Sequence, residues 1–274
     1  MKKILFLMVL VLAGCSNTPD KSVDDSMGTV VPVSDLSWIA NRVFLNETSG
    51  DYDKLVFWSP QEEFMSLGIA HFIWYPQGQG GRYTETFPNL LTYFESVAEP
   101  IPQWLANSTD RGAPWQYRQA FLNEQNSRNV QELRQLLSRT MNLQANFMAQ
   151  RLRKALPLMT RHINSNEREK IIARYKAVEQ SNKGLYPLLD YVNFKGEGTS
   201  SKERYQGQGW GLLQVLQEMP DVNSGENALD EFANAAERVL KRRISNSPIE
   251  RKERNWLAGW MQRINSYRPY QLWR

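Results

Sequence analysis

Glu47, next to Asn46, and, further along, Glu62-Glu63 are the carboxylates whose surroundings suit acid–base chemistry. Leu36, Ile39, Ala40, Val43 and Phe44 recur at helical spacing, with Ser34-Asp35 as the N-cap and Thr48-Ser49-Gly50 as the stop. Glu47 thus closes an apolar helix beside Phe44 and Leu45, and a helix C-terminus disfavours its charge. Glu62-Glu63 stands in a polar stretch before the apolar run Leu67-Gly68-Ile69-Ala70-His71-Phe72-Ile73-Trp74-Tyr75. Cleaving a glycosidic bond takes one carboxyl that protonates the leaving oxygen and one that stays ionised. Glu47 is the candidate acid, Glu63 the candidate partner, with Glu62 and Asp53 as alternates. His71 is a candidate substrate contact, as a hydrogen-bonded structural residue rather than a proton carrier, and Trp74 and Tyr75 are candidate contacts as rings that stack on a sugar or else fill the core.

A second constellation runs from Tyr191 to Gln214. Five glycines between Gly196 and Gly211 are too many for a helix interior and bring the backbone close to whatever lies against it. Glu197, Tyr205, Trp210 and Gln214 are interleaved with them. Carboxylate, amide and aromatic groups of this kind bind sugars, so these four are candidate glycan contacts and Glu197 a reserve second carboxylate. No βαβ frame surrounds the glycines, which argues against a dinucleotide site.

The elements that must position these residues read as mostly helical. Helical spacing recurs over 87–98, 129–155, 166–181, 209–218, 226–243 and 250–266, with Trp256 and Trp260 expected in the core. Residues 54–75 behave differently: aromatic and β-branched runs flank Ser59-Pro60, the pattern of a small β-hairpin. The class is therefore α+β, predominantly helical, with residues 35–274 as one domain.

Ser66-Leu67-Gly68-Ile69-Ala70-His71 resembles the Thr-Ile-Gly-Ile-Gly-His strand of bacteriophage-type lysozymes, and its place after a helix-terminal Glu strengthens the likeness. The resemblance implies a lysozyme-like fold with the hairpin beside a sugar cleft, and peptidoglycan as substrate. Glu47 corresponds to the general acid, Ser66 to the hairpin Thr, and Gly68, Ile69 and His71 to the strand's structural part. Ala70 replaces a glycine, the Glu-to-Ser spacing is longer, and no Asp falls at the usual place, so inverting, retaining and lytic routes all stay open. Gly211-Leu212-Leu213-Gln214 also resembles the Gly-Leu-Met-Gln segment of lytic transglycosylases.

The N-terminus adds a compartment. Lys2-Lys3, the apolar run Ile4 to Leu12 and Leu12-Ala13-Gly14-Cys15 resemble a lipoprotein signal peptide with its lipobox. The apolar run is too short to span a bilayer, which takes about 20 residues. Residues 1–14 are expected to be removed, Cys15 to be acylated, and 15–34 to form a flexible tether. Ser16 after the Cys points to the outer membrane, facing the periplasm. Cleavage takes Lys2 and Lys3 with it and lowers the formal charge of +4 by two. One Cys excludes an internal disulfide, and two His with no second thiol exclude a Cys/His zinc site; no metal or other cofactor is expected.

Residues 238–274 carry ten Lys/Arg against two Glu. In a periplasmic protein that face meets anionic cell-wall polymer, lipid head groups or solvent rather than nucleic acid. The expected activity is cleavage of peptidoglycan glycan strands at the outer membrane, by hydrolysis or transglycosylation. The rivals are a non-catalytic lipoprotein that binds peptidoglycan or an envelope complex, and a glycosidase acting on chitosan or a capsule.

Overall fold

The computed structural model describes residues 33–81, 83–106 and 112–272. The expected signal segment, Cys15 and most of the tether lie outside them. Helix α1 (Val33–Thr48) buries Leu36, Ile39, Ala40, Val43 and Phe44 along α6, the repeat that the spacing predicts. It ends where Ser49 and Gly50 turn left-handed, with Thr48 Oγ1 donating to the Phe44 carbonyl.

Three short strands follow: β1 (Val56–Phe57), β2 (Met65–Leu67) and β3 (Phe72–Trp74), joined as one antiparallel sheet in the order β1-β2-β3. The apolar run expected as one continuous strand is instead broken by a turn over Gly68–His71. Gly68 has φ +67°, and a Cβ there would sit 2.3 Å from Oε1 of Gln144. The buried Gln144 amide fixes the turn, accepting from Ile69 N at 2.9 Å and donating to the Leu137 carbonyl at 2.7 Å and Thr140 Oγ1 at 3.1 Å. All three bonds are shielded from water, so losing one leaves an orphaned polar group.

The remainder is helical: α2 (Phe87–Ser96), α3 (Gln103–Ala106), α4 (Arg118–Glu124), α5 (Arg128–Arg139), α6 (Met141–Met159), α7 (Ser165–Glu179), α8 (Leu185–Lys195), α9 (Leu212–Glu218), α10 (Glu226–Asn246), α11 (Leu257–Asn265) and α12 (Pro269–Leu272). The helix expected over 129–155 is two, parted at Thr140, whose hydroxyl caps the Leu136 carbonyl at 2.7 Å. The stretch before α11 is a pair of 3-10 turns, Ile249–Arg251 and Glu253–Trp256, hinged at a left-handed Lys252 rather than a continuous helix. Trp260 is buried as expected, but Trp256 is 52% exposed.

The glycine-rich interval holds a two-stranded hairpin, β4 (Arg204–Tyr205) and β5 (Gln208–Gly209). Gln206 and Gly207 between them both have positive φ, the backbone of a two-residue primed turn. The molecule is thus predominantly helical with two small antiparallel sheets. Among the described residues, no helix is long and apolar enough to cross a membrane.

Candidate functional site

Glu47 lies in a cleft of about 280 Å³ between the sheet and helices α6 and α8, lined also by His71, Ile73, Thr86, Arg151 and Asn193. Its side chain is 14% exposed. Oε1 accepts from Nη2 of Arg263 at 2.6 Å and from Nδ2 of Asn193 at 3.0 Å, and Oε2 stands 3.4 Å from Nδ1 of His71. One oxygen is therefore fixed by two donors, and the other is left to the imidazole and the cleft.

Arg263 is shared. Its Nε and Nη2 donate to both oxygens of Asp190 at 2.7 and 2.8 Å, while Nη2 also reaches Glu47. Asp190 is completely buried and takes two further bonds, from Tyr267 Oη at 2.6 Å and Asn46 Nδ2 at 3.1 Å. Burial disfavours the charge on Arg263, but Asp190 and Glu47 outweigh it and hold the guanidinium protonated. Burial raises Tyr186, which receives a bond from Asn46, to about 12, with Asp190 adding to the shift. With every lone pair matched, Asp190 is a fixed counter-ion, and the cluster holds Glu47 in one rotamer.

His71 reaches the carboxylate because the Gly68–His71 turn places it there, at φ +50°. A left-handed backbone is unfavourable for a residue with a Cβ, and such residues concentrate at functional sites. Burial pushes its imidazolium below the usual range; Glu47 opposes that, and Arg263 and Lys54 reinforce it. In its neutral form the ring can donate from Nδ1 to the carboxylate Oε2.

Of the other expected site residues, Ser66 pairs with Ile73 across the sheet and shares the face on which Ile73 lines the cleft. Glu197 does not line it, but is near enough to Arg151 to favour that cation's charge against burial. Glu63 does not line this cleft. The Ser59–Glu63 loop folds back so that the Glu62 carbonyl accepts from the Trp58 indole at 2.9 Å, and both carboxylates of the pair face solvent. Asp53 is 82% exposed and pairs with Arg134.

Trp74 and Tyr75 fill the core, one of the two expected alternatives. Trp74 neighbours Ile73 on β3, so strand alternation turns it to the opposite face, where it is fully buried against Phe87 and Trp115. Tyr75 is 3% exposed and packs on Phe64.

Gln214 is a structural clip rather than a glycan contact. Its Oε1 accepts from Gly211 N at 2.9 Å, and its Nε2 donates to the Gly198 carbonyl at 3.1 Å. A Cβ at Gly211 would lie 2.2 Å from Gly198 N, so the glycines let two backbone segments touch. Trp210 is 8% exposed, stacked against Tyr205 at 4.7 Å and under Arg243 at 4.1 Å, while Tyr205 Oη donates to Glu253 at 2.8 Å. These two rings begin a ladder that continues through Trp260 and Phe194 to Arg263. Lys195 Nζ lies between the last two rings, 3.6 and 3.8 Å from their centres. The second constellation therefore backs the Glu47–Arg263 pair from behind.

Asp190, Asn193 and Arg263 were not singled out by sequence reasoning. Tyr186, Asp190 and Asn193 do recur at helical spacing, a signal obscured by Pro187 in the first turn of α8. Arg263 falls among ten basic residues, and nothing local separates it from the solvated ones. Beyond Arg263 a second, broader depression of about 960 Å³ runs past Arg42, Asn46, Phe194 and Trp260. The ion pair thus forms the divide between two hollows. Among the described residues, no group of side chains is arranged to hold a metal ion. No family model, curated protein or solved structure matches the chain.

Proposed function

We propose that this chain cleaves the glycan strands of peptidoglycan, with Glu47 as the acid that protonates the leaving glycosidic oxygen from Oε2. The observation that carries this reading is the Glu47 carboxylate, set in the cleft with one oxygen fixed by Arg263 and Asn193 and the other facing His71. An acid of that kind needs one oriented oxygen and a partner that can share its proton. The hollows on either side of the ion pair suit a polymer that passes through rather than a small ligand. Arg42, Arg151 and Arg263 along them favour neutral or anionic sugars and disfavour the polycation chitosan.

Among the described residues, Glu47 is the one carboxylate lining the narrower cleft. The route this favours is of transglycosylase type. Glu47 gives its proton to the leaving oxygen, the bond to the anomeric carbon breaks, and the same carboxylate then takes a proton from the sugar's own hydroxyl as that oxygen closes on the carbon. Water in place of that hydroxyl gives hydrolysis. Lipid attachment at Cys15 to the outer membrane belongs to the same proposal and places the cleft beside its polymer.

Purified sacculi incubated with the full chain test it: muropeptides are released, and Glu47→Gln lowers the rate by about 100-fold or more. Mass analysis of the released ends separates anhydro from reducing products. Unchanged cleavage by Glu47→Gln, or none by the wild type, rejects the catalytic reading. The second reading, a lipoprotein that binds peptidoglycan without turnover, is favoured by one observation, the neutralisation of Glu47 by Arg263 at 2.6 Å. It predicts retention on sacculi that Glu47→Gln leaves intact.

A further inference from the structure

Ile249 is 90% exposed, the most exposed large apolar residue among those described, and Trp256 at the end of the same pair of turns is 52% exposed. Between them Arg251, Lys252 and Arg254 are all exposed. Among the described residues these three cations enter no ion pair; the nearby carboxylate that would offset them is withdrawn. Glu253 is 3% exposed, gripped by Arg243 at 2.7 and 2.8 Å and by Tyr205 Oη at 2.8 Å. Burial opposes its charge, but those bonds win and hold the carboxyl below the usual range. Of the acidic side chains in the segment only Glu250 faces water. The buried Glu253 also anchors the turns to α10 and β4, so the segment is a supported projection.

We propose that residues 249–256 dock on an anionic phospholipid surface, with Ile249 and Trp256 entering the head-group region and Arg251, Lys252 and Arg254 meeting lipid phosphates. Charge complementarity selects an anionic partner. The apolar pair selects a bilayer over a soluble polyanion, since an exposed aliphatic side chain gains nothing from a hydrated polymer, whereas aromatic and aliphatic groups partition into the interface. The trailing helix α11 carries Arg263 to Glu47, so docking holds the cleft next to the membrane. This surface is independent of what the cleft does.

The test uses the chain without residues 1–14 and with Cys15→Ser, which removes both the apolar leader and any acyl anchor. It is mixed with phosphatidylcholine vesicles with and without phosphatidylglycerol and sedimented. Binding is expected to the anionic vesicles alone and to weaken as salt rises. Replacing Arg251, Lys252 and Arg254 with Gln is expected to weaken it by about five-fold per cation. Ile249→Ser with Trp256→Ser is expected to abolish sedimentation at raised salt, while far-ultraviolet dichroism stays that of the parent. Equal binding to both vesicle types, no binding to either, or variants that bind like the parent would overturn the proposal. So would capture by sacculi in preference to anionic vesicles, which would assign the surface to the cell-wall polymer.

Discussion

Lys195 gives the sharpest physical test of the packing behind the cleft. Its amine is wedged between Phe194 and Trp260, with Arg243 and Arg263 nearby and Glu253 as its attractive partner. Burial, and after it the charge of Arg243, push it from 10.5 down to about 6. At about 1.4 kcal/mol per factor of ten, the part of that gap lying above neutral pH is about 5 kcal/mol. A neutral amine gains little from the two ring faces, so this cost stands at neutral pH, and Lys195→Met should stabilise the fold by up to about 5 kcal/mol. Between about 6 and 10.5 the unfolded chain holds the proton that the folded chain has given up. Stability from this residue therefore rises with pH across that window and is lost as pH falls through it. Urea unfolding of both proteins at about pH 7 and about pH 10 reads the effect, with the gap between variant and parent shrinking at the higher pH. A variant less stable than its parent at neutral pH, or a gap that does not change with pH, would refute the reasoning.

Gly68→Ala forces a Cβ into a left-handed residue and against Gln144, so thermal unfolding should show a loss of at least about 2 kcal/mol, with glycan cleavage falling as His71 shifts. Asp190→Asn leaves a buried guanidinium with only Glu47 as counter-charge; a destabilisation of about 3–5 kcal/mol is expected in urea. His71 is held below its ordinary 6.5, so the folded state resists its protonation and stability drains away as pH falls beneath that value. His71→Asn should remove that share of the acid sensitivity, read as urea midpoints between neutral pH and about pH 5.

The parts of this molecule visible in its sequence are those governed by local pattern. The apolar repeat of α1 and its Thr48-Ser49-Gly50 stop placed Glu47 at a helix end, and the β character of 54–75 placed His71 close to it. What stayed hidden depends on partners distant in the chain. The turn at Gly68 exists because Gln144 holds Ile69 from 75 positions away, and an unbroken apolar run gives no sign of that bond. Trp74 and Ile73 look equally suited to a sugar, and only the sheet's facing separates the buried ring from the cleft wall. Gln214 resembled a ligand contact because an amide that binds a sugar and one that ties two glycine backbones are the same residue in sequence. Arg263 acquires its meaning from Asp190 and Glu47, on helices laid down far earlier in the chain.

That last pairing bears on how the protein matures. Glu47 and Arg263 are 216 positions apart, and Arg42 of the same first helix donates to the Gln271 carbonyl, 229 positions away. Contacts of such separation require both ends of the chain to be present and carry a loop-closure cost. A chain emerging N-terminus first therefore completes the helix bearing Glu47 long before Arg263 exists, and the ion pair is assembled only when the final helices close over α1. Premature termination just short of α11 would leave most of the core sequence intact while leaving Glu47 without its guanidinium. The Glu47–Arg263 pairing is thus a property of the finished polypeptide alone.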